Sequence, residues 1–140
     1  MDVTEVEDAY LRGHVWGLLA TGRSGGAPQM SMVAYDWDGN DIVISCRGSA
    51  AKYVNARRNA EVVFAVPDDL DNLTITGTAI CHDTGPERDQ LTERLRDRLA
   101  EGHTWASAIL DGDIAAGLDK VDRVIIQLVP NEVQLLQPQG

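Results

Sequence analysis

Residues 28–46 constrain the fold of this chain more than any other stretch. Between positions 28 and 37, side chains alternate, with Gln29, Ser31, Val33 and Tyr35 on one face and Met30, Met32 and Ala34 on the other. Asp38-Gly39 supplies a tight turn, and residues 41–46 continue as a second run, so the segment reads as a β-hairpin. Two strands alone are marginal in water, so the chain must supply more strands to cover their apolar face.

It does. Residues 15–21 read as a strand ending in Gly22-Arg23-Ser24-Gly25-Gly26. Residues 61–66 and 73–81 read as two more, joined by a polar turn over 67–72. Residues 121–129 and 132–136 are expected to form a strand pair broken at Pro130-Asn131. Between them lie a short helix over residues 4–12, another over 50–58 with Ser49 as N-cap, and an amphipathic helix over 86–101. The last carries Leu91, Leu95 and Leu99 on one stripe and has Gly102 as its stop, while 103–117 reads as a helix or a loop. A length of 140 residues fits one domain that buries a core without disulfides or metal. The expected class is mainly β (α+β): six to seven antiparallel strands with two to four short helices, closed into a small barrel or split barrel.

Charge locates the candidate site. The chain carries a formal net charge of −10, yet from Arg47 to Arg58 it places Arg47, Lys52, Arg57 and Arg58 with no acid among them. Arg57 and Arg58 fall in the last turn of the expected helix, where cations complement the dipole. Lys52 falls in its first turn, where a cation opposes the dipole unless an anion joins it, and where free backbone N–H groups already favour one. Asn55, three residues on, shares its face. On the preceding strand Ser45 and Arg47 project together, opposite Ile42, Ile44 and Cys46, and the partner strand offers Gln29, Ser31 and Val33. These positions suit a small phosphorylated ligand.

Other chemistries fit poorly. An acidic chain lacks the basic surface that nucleic acid requires, so no nucleic acid partner is expected. No apolar run approaches the ~20 residues of a membrane span. Cys46 and Cys81 have no CxxC spacing, and the opening Met-Asp-Val-Thr-Glu has no signal-peptide pattern, which points to a cytoplasmic location. Gly22-Arg23-Ser24-Gly25-Gly26 matches the nucleophile elbow in letters, but a proline and an alternating strand follow where a helix is needed. Residues 36–41 lack the glutamate of a calcium loop, and His14, His82 and His103 are too scattered for zinc, so no metal is expected.

Taken in order, Gly17-Leu18-Leu19-Ala20-Thr21, Pro28-Gln29-Met30-Ser31-Met32-Val33, Ile44-Ser45, Arg47-Gly48, Ala51-Lys52, Asn55-Ala56-Arg57-Arg58-Asn59 and Gly77-Thr78-Ala79 resemble one family. It is the pyridoxamine-5′-phosphate-oxidase-like split β-barrel family, and within it the flavin/deazaflavin-dependent oxidoreductases. The resemblance implies the FMN-binding split-barrel fold and a homodimer with cofactor at the subunit interface. It implies coenzyme F-420, a deazaflavin, or alternatively FMN. By the same resemblance Lys52 meets the cofactor phosphate with Asn55 in support, Ser45 and Arg47 line the neighbouring strand, and Gln29, Ser31 and Val33 face the ring. The family often has an arginine where this chain has Ala50, and Arg47 is the nearby cation able to compensate. The implied activity is hydride transfer to a small unsaturated or quinone-like organic substrate, the cofactor carrying the chemistry. No side chain stands out as a catalytic acid, base or nucleophile. A binding or carrier protein without turnover is the other class to test. The dimer expectation also draws on the apolar faces Met30/Met32 and Val62/Phe64/Val66, which exceed the evident needs of one small barrel.

Overall fold

In this computed structural model residues 2–101 and 122–138 are described. The expected strand over 28–37 is interrupted at Tyr35, giving β2 (Gln29–Ala34) and β3 (Asp36–Trp37). The other strands are β1 (Trp16–Thr21), β4 (Ile42–Arg47), β5 (Glu61–Asp68), β6 (Asp71–His82) and β7 (Arg123–Leu136). They form one seven-stranded antiparallel sheet in the order β2-β1-β5-β6-β7-β4-β3. Its two edge strands, β2 and β3, are therefore separated in sequence by Tyr35 alone. A single residue can bridge the two edges only if the sheet curls back on itself, so the topology by itself dictates a split barrel. Tyr35 is pinned at this corner: its N–H donates to Val15 O at 2.9 Å and its hydroxyl to Leu11 O at 2.7 Å.

The barrel interior is filled by alternate residues of every long strand, among them Leu19, Val33, Ile44, Phe64, Ile75 and Ile126. Gly17 permits the tightest contact there. A Cβ at that position would lie 2.2 Å from Phe64 Cζ, so the missing side chain is the space that the phenyl ring occupies. Helix α1 (Glu5–Arg12) closes one end. Thr4 and Glu7 form a reciprocal capping box at its start, and Tyr10 and Leu11 point into the core, the Tyr10 hydroxyl donating to Val66 O at 2.7 Å. Helix α2 (Ala51–Arg58) closes the other end with Tyr53 and Ala56. It begins one residue later than the sequence suggests. Its N-cap is Ala50, with no side-chain hydrogen bond, and Ser49 is not the cap.

Helix α3 (Pro86–Leu99) covers the outer face of β4 and β7. Leu91, Leu95 and Leu99 lie over Val43 and Ile125, and three arginines fasten the rest. Arg88 donates to Arg123 O at 2.9 Å, and Arg98 donates to Arg12 O at 2.6 Å and His14 O at 3.2 Å. Arg94 lies among three carboxylates, with Nε 2.6 Å from Asp36, Nη1 2.9 Å from Asp38 and Nη2 2.7 Å from Asp41.

Two expectations about the strands are corrected. In place of the expected strand pair, β7 runs unbroken from Arg123 to Leu136, and the irregularity at Pro130-Asn131 is a bulge opposite Thr76 and Gly77. A bulge accommodates both the proline without an N–H and one extra residue, without ending the strand. The polar turn expected over 67–72 shrinks to Asp69 and Leu70, because Asp68 and Asp71 pair across it and Asp69 takes the left-handed conformation (φ 55°) that Asp tolerates. Gly102 and residues 103–117 lie outside the described residues. Among the described residues three helices form, and none is long and apolar enough to cross a membrane.

Candidate functional site

Where the curled sheet fails to close, β2 faces β4 across a cleft of about 490 Å³, within the usual range of ligand sites. Met32, Val33 and Ala34 of β2 form one side, Ser45, Cys46 and Arg47 of β4 the other. Ser49, Ala50 and Lys52 close one end, and Leu95 and Leu99 of α3 roof the cleft with Trp16. Arg123, at the start of β7, completes it.

The structure brings together part of the sequence-derived set. Lys52, Ser45, Arg47 and Val33 all line the cleft, although the Val33 side chain is itself packed into the barrel core. Lys52 reaches across the seam and donates to Ser31 Oγ at 3.3 Å, which places Ser31 beside the cleft. Gln29 and Asn55 lie elsewhere. Asn55 is buried and donates to Thr21 Oγ1 at 3.2 Å, Thr21 in turn donates to Gln29 Oε1 at 3.4 Å, and Arg58 donates to Asn55 Oδ1 at 3.3 Å. This chain of polar groups secures α2 to the ends of β1 and β2. Spacing of three residues put Asn55 beside Lys52, but Tyr53, Asn55 and Ala56 are the buried face of α2, and Lys52 sits at its margin. Ser49, displaced from its expected capping role, lines the cleft.

Sequence reasoning missed Arg123. Its position is set by register: β4 and β7 pair so that Arg47 and Arg123 are direct partners and Ser45 faces Ile125. The Arg123 Nε–H donates to Ser45 Oγ at 3.2 Å, a diagonal contact on the same face. Burial pulls the Arg123 pKa below its usual value, with the like charge of Arg47 adding to the effect against Cys46 and Asp122. The Cys46 thiol goes the other way. Burial pushes it up to about 11 even though Lys52 and Arg123 pull it down, so it stays protonated at neutral pH and is no nucleophile. Three cations thus converge on a cleft whose described lining contains no acid and no histidine. Such a lining holds and orients an anion, and offers no general acid or base at neutral pH.

The segment with the G-x-S-x-G letters joins β1 to β2 as a hairpin loop, not a strand to a helix, so it forms no nucleophile elbow. Of the apolar faces invoked for a dimer, Val62, Phe64 and Val66 are interior residues of the barrel. Met30 and Met32 are the exposed ones, at 62% and 64% of their full accessibility.

A seven-stranded split barrel with a cationic cleft along its open seam defines a class of small ligand-binding barrels. The family model described as pyridoxamine 5'-phosphate oxidase matches residues 3–137, and the chain belongs to that family. The family includes flavin- and F420-binding oxidoreductases. Among solved structures, the chain is similar to the conserved hypothetical protein Rv2991 from Mycobacterium tuberculosis, at 19% identity and TM-score 0.76, covering 98% of this chain and 86% of that one. A structure titled F420 Reductase shares 28% identity at TM-score 0.67, covering 94% and 98% of the two chains. The General Stress Protein 26 from Bacillus anthracis aligns at 15% identity and TM-score 0.67, covering 94% and 91%. A sequence comparison with curated proteins found no match.

Proposed function

We propose that this protein is an oxidoreductase that uses coenzyme F-420, with FMN as the rival cofactor, to transfer hydride to or from a small unsaturated or quinone-like organic substrate. The observation that carries the reading is Lys52. It is a cation in the first turn of a helix, with no carboxylate partner among the described residues, turned across the seam toward β2. That is a position an anionic group stabilises. The donors fit a phosphorylated cofactor: Lys52 and Arg47 would hold its phosphate, Ser45 and Ser31 would add hydroxyl groups, and Met32, Ala34 and Trp16 would flank the ring. When bound, either cofactor supplies the hydride chemistry. The protein's part is to bind, orient and exclude water, which agrees with the absence of acids and histidines among the described lining residues. The 28% identity to the structure titled F420 Reductase supports coenzyme F-420 over FMN.

A homodimer is part of the same proposal. The cleft is open, Met32 lines it, and Met30 and Val63 add exposed apolar surface in one cross-strand row with Ala20 of β1 that a second copy would cover. The test is the absorbance spectrum of protein purified from a deazaflavin-making host, in which coenzyme F-420 peaks well to the blue of FMN. Reduced cofactor is then mixed anaerobically with a dozen varied acceptors. Saturable oxidation supports the enzyme, flat traces with all acceptors support a carrier, and protein that takes up neither cofactor refutes the reading.

A further inference from the structure

His14 follows Gly13, the C-cap of α1, and its ring meets an acceptor at each nitrogen. Nδ1 lies 2.7 Å from Tyr10 O, and Nε2 lies 2.9 Å from Asp68 Oδ2. A peptide carbonyl and a carboxylate only accept, so a ring bonded to both must donate from both nitrogens. Only the imidazolium form does that. The setting agrees. Tyr10 O is one of the last four carbonyls of α1, the negative end of the helix, where a cation is stabilised. The ring also stacks on Tyr10, with centroids 4.4 Å apart, which holds it in this orientation.

The charges around the ring come from three elements. On α1, Arg12 is drawn to Asp8 at 2.8 Å. On α3, Arg98 donates to His14 O at 3.2 Å and holds Glu101 at 2.8 Å with its other arm. The β5–β6 turn carries Asp68, Asp69 and Asp71. Burial, and then Asp68 and Asp71, push the Tyr10 phenol up, so it does not titrate near neutral pH. The two contacts of His14 are unequal. Tyr10 O belongs to the backbone and also accepts Gly13 N–H at 3.2 Å, whereas the Asp68 side chain is 62% exposed and free to turn into water.

We propose that His14 is a proton-operated latch between the end of α1 and the β5–β6 turn. With both nitrogens protonated the ring joins the two. On losing the Nε2 proton it keeps Tyr10 O and releases Asp68, because a nitrogen lone pair then faces carboxylate oxygens and repels them. The closed latch binds one proton more than the open one, so the contact is present on the acid side and is lost as pH rises through the range in which histidine changes charge. None of these groups is among the described residues lining the cleft, and the latch holds whatever the cleft binds.

The test records two-bond ¹H–¹⁵N spectra of the histidine rings of the full chain from pH 5.5 to 9, the His14 signals being identified by their loss in His14→Gln. Amide exchange, corrected for its intrinsic pH dependence, is followed over the same range. The neutral ring should be the Nδ1–H tautomer, the opposite of the form free histidine prefers, because Nδ1 keeps the backbone carbonyl. As that form appears, protection of the β5–β6 turn should fall by about threefold, the scale of one exposed ion pair, while the last turn of α1 stays protected. His14→Gln should show no such step. Should that variant not fold, Asp68→Asn on the exposed turn serves: an amide can both donate and accept, so it meets either form of the ring and should flatten the step. A neutral Nε2–H tautomer, protection that does not change as the ring loses its proton, or an undiminished step in Asp68→Asn overturns the latch.

Discussion

Replacing Arg94 by methionine should separate the attachment of α3 from the stability of the barrel. Arg94 is about one-quarter exposed and neutralises Asp36, Asp38 and Asp41, whose side chains are 12%, 37% and 15% exposed. Methionine retains the length and packing of the side chain, so the loss is mainly electrostatic. Removing one partner of a buried pair costs about 3–5 kcal/mol because the other charge stays buried. Asp38 can turn to water and contributes little, while Asp41 keeps a hydrogen bond from Gln127 at 2.9 Å. Asp36 has burial as its dominant perturbation and loses its chief compensation. The expected cost is therefore about 2–3 kcal/mol, below the fully buried range. The pH dependence has a definite sign. Asp36 has a raised pKa in the folded protein, and without Arg94 it should rise further. A carboxyl with a raised folded-state pKa favours folding at low pH and loses that contribution as pH climbs through the folded value. The deficit of the variant should thus be largest at pH 7 and shrink as the pH falls toward the carboxylate range. Urea unfolding of both proteins at several pH values measures this. A loss under about 1 kcal/mol at pH 7, or a deficit that grows with acid, would refute the account.

Lys52→Ala should weaken cofactor binding by about 1.5–3 kcal/mol, the scale of a charge-assisted hydrogen bond to phosphate, and leave the urea midpoint in place; fluorescence titration at low and high salt checks it. Gly17→Ala puts a methyl group 2.2 Å from Phe64 Cζ and should cost about 1–3 kcal/mol in urea unfolding, with partial recovery when Phe64 becomes leucine. With its pKa pushed up to about 11 by burial, Cys46 should resist alkylation at pH 8 until the protein is unfolded, as a mass-spectrometric time course would reveal. Light scattering at micromolar protein should give twice the 15.2 kDa chain mass, and a monomer that still binds cofactor tightly would place the whole site within one chain.

The parts of the fold legible in the sequence are those fixed by local period. Alternation gave the faces of β2 and β4, because each has one side in the barrel core, and the leucines of α3 marked the helix that roofs the cleft. What stayed hidden depends on partners distant in the chain. Tyr35 looks like one more strand residue, and only the closing of the sheet turns it into a corner. Pro130 looks like a strand end until Thr76 and Gly77 absorb the extra residue. Arg123, an arginine in a strand, reads as solvated surface; its place in the cleft depends on which β4 residue it meets. Lys52 was visible because its local setting, a cation at a helix start, is unfavourable by itself. Asn55 shares that helix, but its buried side follows from Thr21, beyond the reach of helical spacing.

Strand β7 is the last described in sequence, yet it lies between β6 and β4 in the sheet and pairs with both. Without β7, the described strands would leave a four-stranded piece, β2-β1-β5-β6, and a separate short β3–β4 ribbon, with no ladder hydrogen bonds between the two. Folding must therefore wait for β7, and its contacts with β4 close a long loop before they return any stabilisation. The transition state should contain the β5–β6 hairpin and leave β7 undocked, so that substitutions on the buried side of β7, such as Ile126→Val, accelerate unfolding and barely slow folding. During synthesis the open edges of β6 and β4 stay exposed until β7 arrives, and they are the edges on which two nascent copies would first pair wrongly.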